Sequence, residues 1–294
     1  MNILLTAANS GFGRLIAADL IKAGHRVAGS VRDPQGRNSQ AAADLKAIGV
    51  DVVEIDVTDT ASVASGVAAA QAALGQIDAL INNAGVGAHG LQENFSDDDF
   101  QRLFDINVFG VQRMTRAVLP DMRARGSGLI LNISSLLGRV TMPFYGPYNA
   151  SKWALEAMTE NYRAELSQFG VDVAMVEPGG FPTEFFGNLI LPSSTDRDTG
   201  YGEMAAAPEA ALAGFAEFLK ANPQQTPQIV ADAVTRVVDT PAGSRPFRTE
   251  VDLIGMGDLV APYNAKLAEV TQALYANMGV DNLLTLNTGT PEAA

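Results

Sequence analysis

The 294-residue chain has no cysteine, which excludes disulfides, thiolate nucleophiles and cysteine metal sites. Histidine is almost as scarce. His25 and His89 stand far apart in sequence and outside any ligand spacing, so no structural metal is expected. Basic residues are outnumbered: 20 Lys and Arg face 33 Asp and Glu, for a net charge of -13. That balance argues against a nucleic-acid partner, which calls for basic surface. There is no run of 18 apolar residues, so no membrane-spanning helix is expected. The chain passes from Met1-Asn2 straight into the apolar Ile3-Leu4-Leu5 without a charged leader or cleavage pattern. A cytoplasmic location is the resulting expectation.

Against these absences stand 47% apolar residues and 28 glycines, a mix that suits a buried sheet flanked by helices. The chain reads as alternating strand and helix. Strands are expected at 3–6, 25–31, 51–57, 78–81, 129–133 and 171–176, and an edge strand at 246–251. Helices are expected at 15–23, 38–48, 60–74, from Ser96, at 107–125, 148–169, 208–220, 226–239 and 258–277. Gly24 and Gly170 read as helix terminators, Ser96 as an N-cap with Asp99 at N3, and Pro120 as a kink or break. This alternation predicts a Rossmann-like, doubly wound, predominantly parallel sheet in three α/β/α layers, in one catalytic domain spanning 1–294. The repeat breaks at 181–225, which reads as a substrate-side insertion after strand six, and 252–294 reads as a C-terminal extension.

In such sheets ligands gather beyond the C-terminal ends of the strands. The loop Thr6-Ala7-Ala8-Asn9-Ser10-Gly11-Phe12-Gly13 lies there, between a strand and a helix. It offers backbone N–H groups and a helix N-terminus to a pyrophosphate. Further on, Tyr148 and Lys152 are four apart at the start of a helix and share one face. An ammonium beside a phenol favours the phenolate, so the pair reads as a tyrosine tuned for proton transfer, with its pKa lowered.

Taken in order, these motifs resemble the short-chain dehydrogenase/reductase family over roughly residues 2–251. The loop at 6–13 is similar to the family's Thr-Gly-x-x-x-Gly-x-Gly, with Ala7 in place of the first glycine. Asn82-Asn83-Ala84-Gly85 resembles the segment beside the central strand, and Tyr148-x-x-x-Lys152 the catalytic motif. The resemblance implies four catalytic residues: Asn107, Ser135, Tyr148 and Lys152. It implies a cofactor site built from Thr6, Asn9, Ser10, Gly11, Phe12, Gly13, Arg32, Asp56, Val57, Asn83, Ala84, Gly85, Tyr148, Lys152, Pro178, Gly179 and Thr183. Asp56 would meet the adenine. Ser135 would orient a carbonyl oxygen and Tyr148 pass it a proton. Lys152 would hold the nicotinamide ribose, and Asn107 a water in a relay. No metal is required.

At the end of strand two, Val31 stands where NAD-binding relatives often place an acid, and Arg32 follows. A guanidinium there pairs with a 2′-phosphate, which favours NADP(H) with NAD(H) as the alternative. Gly87, Ala88, His89, Leu136, Leu137, Val140, Phe144, Tyr145, Phe181 and Phe185 are candidate pocket residues and suggest an apolar carbonyl or alcohol substrate. The expected activity is NADP(H)-dependent interconversion of the two by hydride transfer. An epimerase using transient oxidation and a non-catalytic nucleotide-binding regulator are the alternatives. A homodimer or homotetramer is implied, with contact surfaces around 108–125 and 150–169.

Overall fold

In the computed structural model, which describes residues 1–289, seven strands form one parallel sheet. They are β1 (Asn2–Leu5), β2 (Arg26–Val31), β3 (Asp51–Glu54), β4 (Ala79–Asn82), β5 (Gly128–Ile133), β6 (Val171–Pro178) and β7 (Arg248–Val251). Their order is β3-β2-β1-β4-β5-β6-β7, and each neighbouring pair is parallel. The order reverses between β1 and β4, which opens a crevice at the C-terminal edge.

Both faces of the sheet are covered. The helices are α1 (Gly11–Lys22), α2 (Ser39–Ala47), α3 (Thr60–Leu74), α4 (Asp97–Phe104), α5 (Gly110–Ala124), α6 (Gly146–Leu166), α7 (Asp198–Tyr201), α8 (Ala207–Ala221), α9 (Gln228–Asp239) and α10 (Met256–Met278). Alternate residues of a strand point to opposite faces. Accordingly Ile3 and Leu5 pack with Ile16 and Leu20 of α1 and Val230 and Val234 of α9. Leu4 packs on the other side with Val63 and Val67 of α3, Met114 and Val118 of α5 and Leu166 of α6. These strands are apolar on both faces because both faces are buried.

Local signals explain most element ends. Ser96 and Asp99 form a reciprocal capping box at α4. Gly24 and Gly170 adopt φ of +87° and +67° just past their helices. Two expectations are corrected. Strand three ends at Glu54 rather than 57, because the Asp56 carboxylate accepts from Thr58 N at 2.9 Å and Thr58 Oγ1 at 2.7 Å and turns the chain. The stretch from Asn107 is helical as expected, its first residues lying in a π turn, Asp105–Phe109, before α5 starts at Gly110. Pro120 neither ends nor breaks α5. Pro120 and Arg116, whose carbonyl loses its helical donor, are both exposed, so solvent meets the freed oxygen.

The segment 181–225 carries α7, α8 and short 3-10 turns and lies against the loop after β4. His89 N donates to Ile190 O at 3.1 Å, and Ile190 N to Gly87 O at 2.9 Å. The C-terminal extension is fastened at two places. Residues 281–287 lie on the end of α6, where Asn287 N donates to Ser167 O at 2.8 Å. They cover part of the 150–169 surface expected to meet a second subunit. Nearer the sheet, Asn264 of α10 enters a buried ionic cluster. It donates to Glu177 at 2.6 Å and Glu250 at 2.7 Å and accepts from Arg139 at 2.9 Å. Arg248 of β7 meets Glu156 at 3.2 Å, Glu177 at 3.0 Å, and Glu160. Burial pushes the Glu156 and Glu177 carboxyls above the usual carboxylate range, against the pull of Arg248. Charges taken this far from water persist only when paired.

Candidate active site

The glycine-rich loop is held from beneath by β4. The Thr6 hydroxyl accepts from Asn83 N and Ala84 N, both at 2.9 Å, and Asn83 Nδ2 donates to Thr6 O and Ala7 O, both at 3.1 Å. Thr6 and Asn83 therefore build the loop, with these polar groups bonded to protein. Ser30 ties it from β2, accepting from Ala7 N at 3.0 Å. A Cβ on Gly13 would come within 2.0 Å of Ala7 O, so α1 crosses the loop at a distance only glycine permits. Ala7 adopts φ +51°. The methyl group that replaces the family's glycine thus sits in the left-handed region, at a cost of about 1 kcal/mol.

Asn9, Ser10, Gly11 and Phe12 form the outer part of the loop and the start of α1. Phe12 packs edge-on against Phe181 at 5.6 Å, which places Phe181 in the main core and removes it from the candidate pocket. Gly11 N donates to the Glu184 carboxylate at 3.1 Å. An anion on the helix N-terminus is what the chemistry of that N–H predicts, and it marks the position the resemblance assigns to a pyrophosphate. Sequence reasoning missed Glu184, whose partner is 173 residues away.

Arg32 is exposed at the end of β2. Asp33 is turned away at φ +47°, its carboxylate accepting from Arg37 N at 3.0 Å. Burial raises the Asp56 carboxyl, but the Thr58 hydrogen bonds and the charges of Arg32 and Arg37 hold it below its ordinary value. Two cations therefore bear on this end of the crevice. Arg37 was not foreseen, since the turn that brings it back depends on Asp33. Val57 is buried under α5, where a Cβ on Gly110 would come within 2.9 Å of it.

The reacting end is built by β5, β6 and α6. Lys152 is buried, and its Nζ donates to Ile133 O at 2.9 Å and stands 5.8 Å from the Tyr148 ring centroid. Burial pushes its pKa down to about 8, with Glu156 opposing. Tyr148 is buried beside Ser135 and Phe185. The ammonium was expected to lower the phenol. Burial instead pushes the Tyr148 pKa up to about 12, with the Ser135 hydrogen bond pulling the other way. Desolvation of the phenolate wins, so the phenol keeps its proton at neutral pH. Ser135 Oγ accepts from Leu137 N at 3.1 Å and lies 3.4 Å from Pro178 O.

Asn107, in the π turn, accepts from Val86 N and donates to Val86 O, both at 2.9 Å, and donates to Ser151 Oγ at 3.0 Å. Its side chain braces the loop after β4 against α6. A Cβ on Gly85 would lie 3.4 Å from Asn107 Oδ1 and 3.8 Å from Lys152 Nζ, so Gly85 lets that loop approach both. Pro178 ends β6. Gly179 N donates to Val251 O at 2.9 Å, and Thr183 caps the turn Glu184–Asn188. His89 is buried, its Nε2 2.8 Å from Pro208 O and its ring 4.6 Å from Tyr145.

A parallel sheet with a glycine loop at its switch point and a buried Ser-Tyr-Lys group beyond β5 defines the dinucleotide-binding α/β class. The chain belongs to the short chain dehydrogenase family, whose sequence model matches residues 1–191. It is 36% identical over 201 residues to 3-ketodihydrosphingosine reductase of Bacteroides thetaiotaomicron, covering 68% of this chain and 71% of that one. Its fold matches a short-chain dehydrogenase from Streptomyces avermitilis with a TM-score of 0.72 and 30% identity, over 96% of this chain and 100% of that one. It also matches actinorhodin polyketide ketoreductase with NADPH, with a TM-score of 0.70 and 28% identity, over 87% and 97% of the chains.

Replacing Ala7 by Gly relieves the left-handed strain, offset in part by the greater freedom of glycine in the unfolded chain. The expected result in chemical denaturation is a gain of up to about 1 kcal/mol. A loss of stability would show that the methyl group contributes packing that outweighs its backbone strain.

Proposed function

We propose that this protein is an NADP(H)-dependent oxidoreductase that interconverts a carbonyl compound and an alcohol, with Tyr148 as the general acid/base. The observation that carries this reading is the buried Tyr148 phenol beside Ser135, with the Lys152 Nζ 5.8 Å from its ring centroid and burial raising its pKa. A protonated phenol is the form that donates to a carbonyl oxygen, as the reduction step requires.

The residues present fit a dinucleotide. Gly11 N already binds a carboxylate at the start of α1, and a phosphate would take that position by displacing Glu184. Asn9, Ser10, Phe12 and Gly13 shape the same loop, and Arg32 and Asp56 stand at the adenosine end. Pro178, Gly179 and Thr183 frame the nicotinamide end. The bound dihydronicotinamide supplies the hydride. Ser135 donates a hydrogen bond to the substrate oxygen, and Tyr148 transfers its proton there as negative charge develops. Lys152 supplies positive charge beneath the phenol, and Asn107 keeps the β4 loop against α6.

A ketone on a long apolar body is the proposed substrate class. From Tyr148 the rings of Phe185, Phe186, Phe215 and Phe218 follow one another at 5.5, 5.5, 5.8 and 6.2 Å, ending at exposed Phe218. This aromatic run leads from the reacting centre across the 181–225 segment to the surface. That the Bacteroides relative is a 3-ketodihydrosphingosine reductase supports the reading.

Tyr148→Phe is expected to lower the rate of NADPH oxidation with a panel of apolar ketones by about 10²–10⁴, with NADPH affinity unchanged. Near-wild-type turnover would remove Tyr148 from the chemistry, and binding without turnover by the wild type would favour a regulatory protein. Arg32→Ala is expected to weaken NADPH on the order of tenfold or more, with a smaller effect on NADH. Equal losses for both would remove Arg32 from 2′-phosphate recognition.

A further inference from the structure

Helix α10 is fixed to the body of the protein by Asn264, yet much of its apolar surface is exposed and has no partner among the described residues. Leu259 is 80% exposed and Met278 66% exposed, and Tyr263, Val270 and Leu274 are also exposed. Leu267, between them, is half-buried. At 3.6 residues per turn these six residues fall within an arc of about 100° along the helix. They form one continuous stripe over the 23 residues of α10. Exposed Trp153 lies near it, because Arg139 stacks between Trp153 and Tyr263 at 5.6 and 5.0 Å.

The order of residues along the stripe is symmetric. Leu259 and Met278 are equally far from a point between Ala268 and Glu269, as are Tyr263 and Leu274, and Leu267 and Val270. Two copies of the helix, antiparallel about a two-fold axis at that point, would set each apolar residue opposite an apolar one. The charged residues obey the same register. Asp258 falls opposite Gly279, Lys266 opposite Thr271 and Glu269 opposite Ala268, so no like charges meet. A self-complementary patch of this kind is what an isologous two-fold contact requires. The chain's charge of -13 and the single lysine of α10 do not suit an anionic lipid surface, for which interfacial helices carry many basic residues.

We infer that α10 is a homodimer interface in which it pairs antiparallel with α10 of a second copy. The interface is independent of the proposed chemistry. It also differs from the 108–125 and 150–169 surfaces expected from the sequence, the second of which is partly covered by residues 281–287. A helix of this length spans ~35 Å and is ~10 Å across. The face it offers is a few hundred Å², the size of a weak dimer that depends on concentration.

Sedimentation equilibrium from about 1 to about 100 μM reads this out on the full chain. The wild type is expected to pass from monomer to dimer over that range, and Leu274→Glu, at an exposed position, to remain monomeric with unchanged circular dichroism. Val270→Cys gives a single thiol near the two-fold axis in a chain with no other cysteine. A short bismaleimide is expected to link it into dimers, and to leave a Leu191→Cys control unlinked. A wild type that stays monomeric throughout overturns the inference. So does a dimer that survives Leu274→Glu, which would place the contact elsewhere. Co-flotation with phosphatidylserine vesicles that is lost in Leu274→Glu would overturn it in favour of a lipid surface.

Discussion

The burial of the Lys152 ammonium against the Ile133 carbonyl is the constraint on which the rest of the site depends. An amine removed from water is pushed toward its neutral form, and here its pKa falls to about 8. That position is tolerable only because α6 is held rigidly across the end of β5. The hold comes from two sides. Asn107 bonds to Ser151, one residue before Lys152, and Glu156, one turn further along, is locked to Arg248 and lies close to Arg139. The same rigidity fixes Tyr148, whose phenol is dehydrated along with the amine and therefore keeps its proton.

The parallel sheet converts this local arrangement into a two-part site. Because β1 and β4 are neighbours, the glycine loop after one and the Asn83-Ala84-Gly85 segment after the other meet and brace each other through Thr6. The nucleotide end and the reacting end thus share one floor. The 181–225 segment closes over both. It puts Glu184 on the Gly11 N–H and Phe185 against Tyr148 from adjacent residues, so a movement that opens one end also opens the other.

The fold and the family were legible in the sequence because both rest on local signals. Strand and helix periods alternate, glycines mark helix ends, and Tyr148 and Lys152 are only four residues apart. The less legible features depend on distant contacts or on burial. Nothing near Glu184 announces its bond to Gly11, and nothing near Glu177 announces Arg248 and Asn264. The Tyr148 pKa was read in the wrong direction because spacing reveals a neighbouring charge but not the loss of solvent. That Pro120 does not break α5 was hidden for a related reason, since its effect depends on whether the carbonyl of Arg116 faces water. The structure brings Asn107, Ser135, Tyr148 and Lys152 to one end of the sheet. It bonds the Asn107 side chain to Val86 and Ser151, so that this residue braces the loop after β4 against α6.

In the proposed reaction a hydride moves onto a carbonyl carbon while Tyr148 protonates the oxygen. Reduction of a long-chain ketone with NADPH deuterated at nicotinamide C4 on the transferring face tests it directly, with the product read by mass spectrometry and NMR. The expected result is one deuterium at the carbinol carbon for each NADPH consumed. Deuterium retained in the nicotinamide while the substrate is only epimerised, or no net reduction with any ketone, would contradict it.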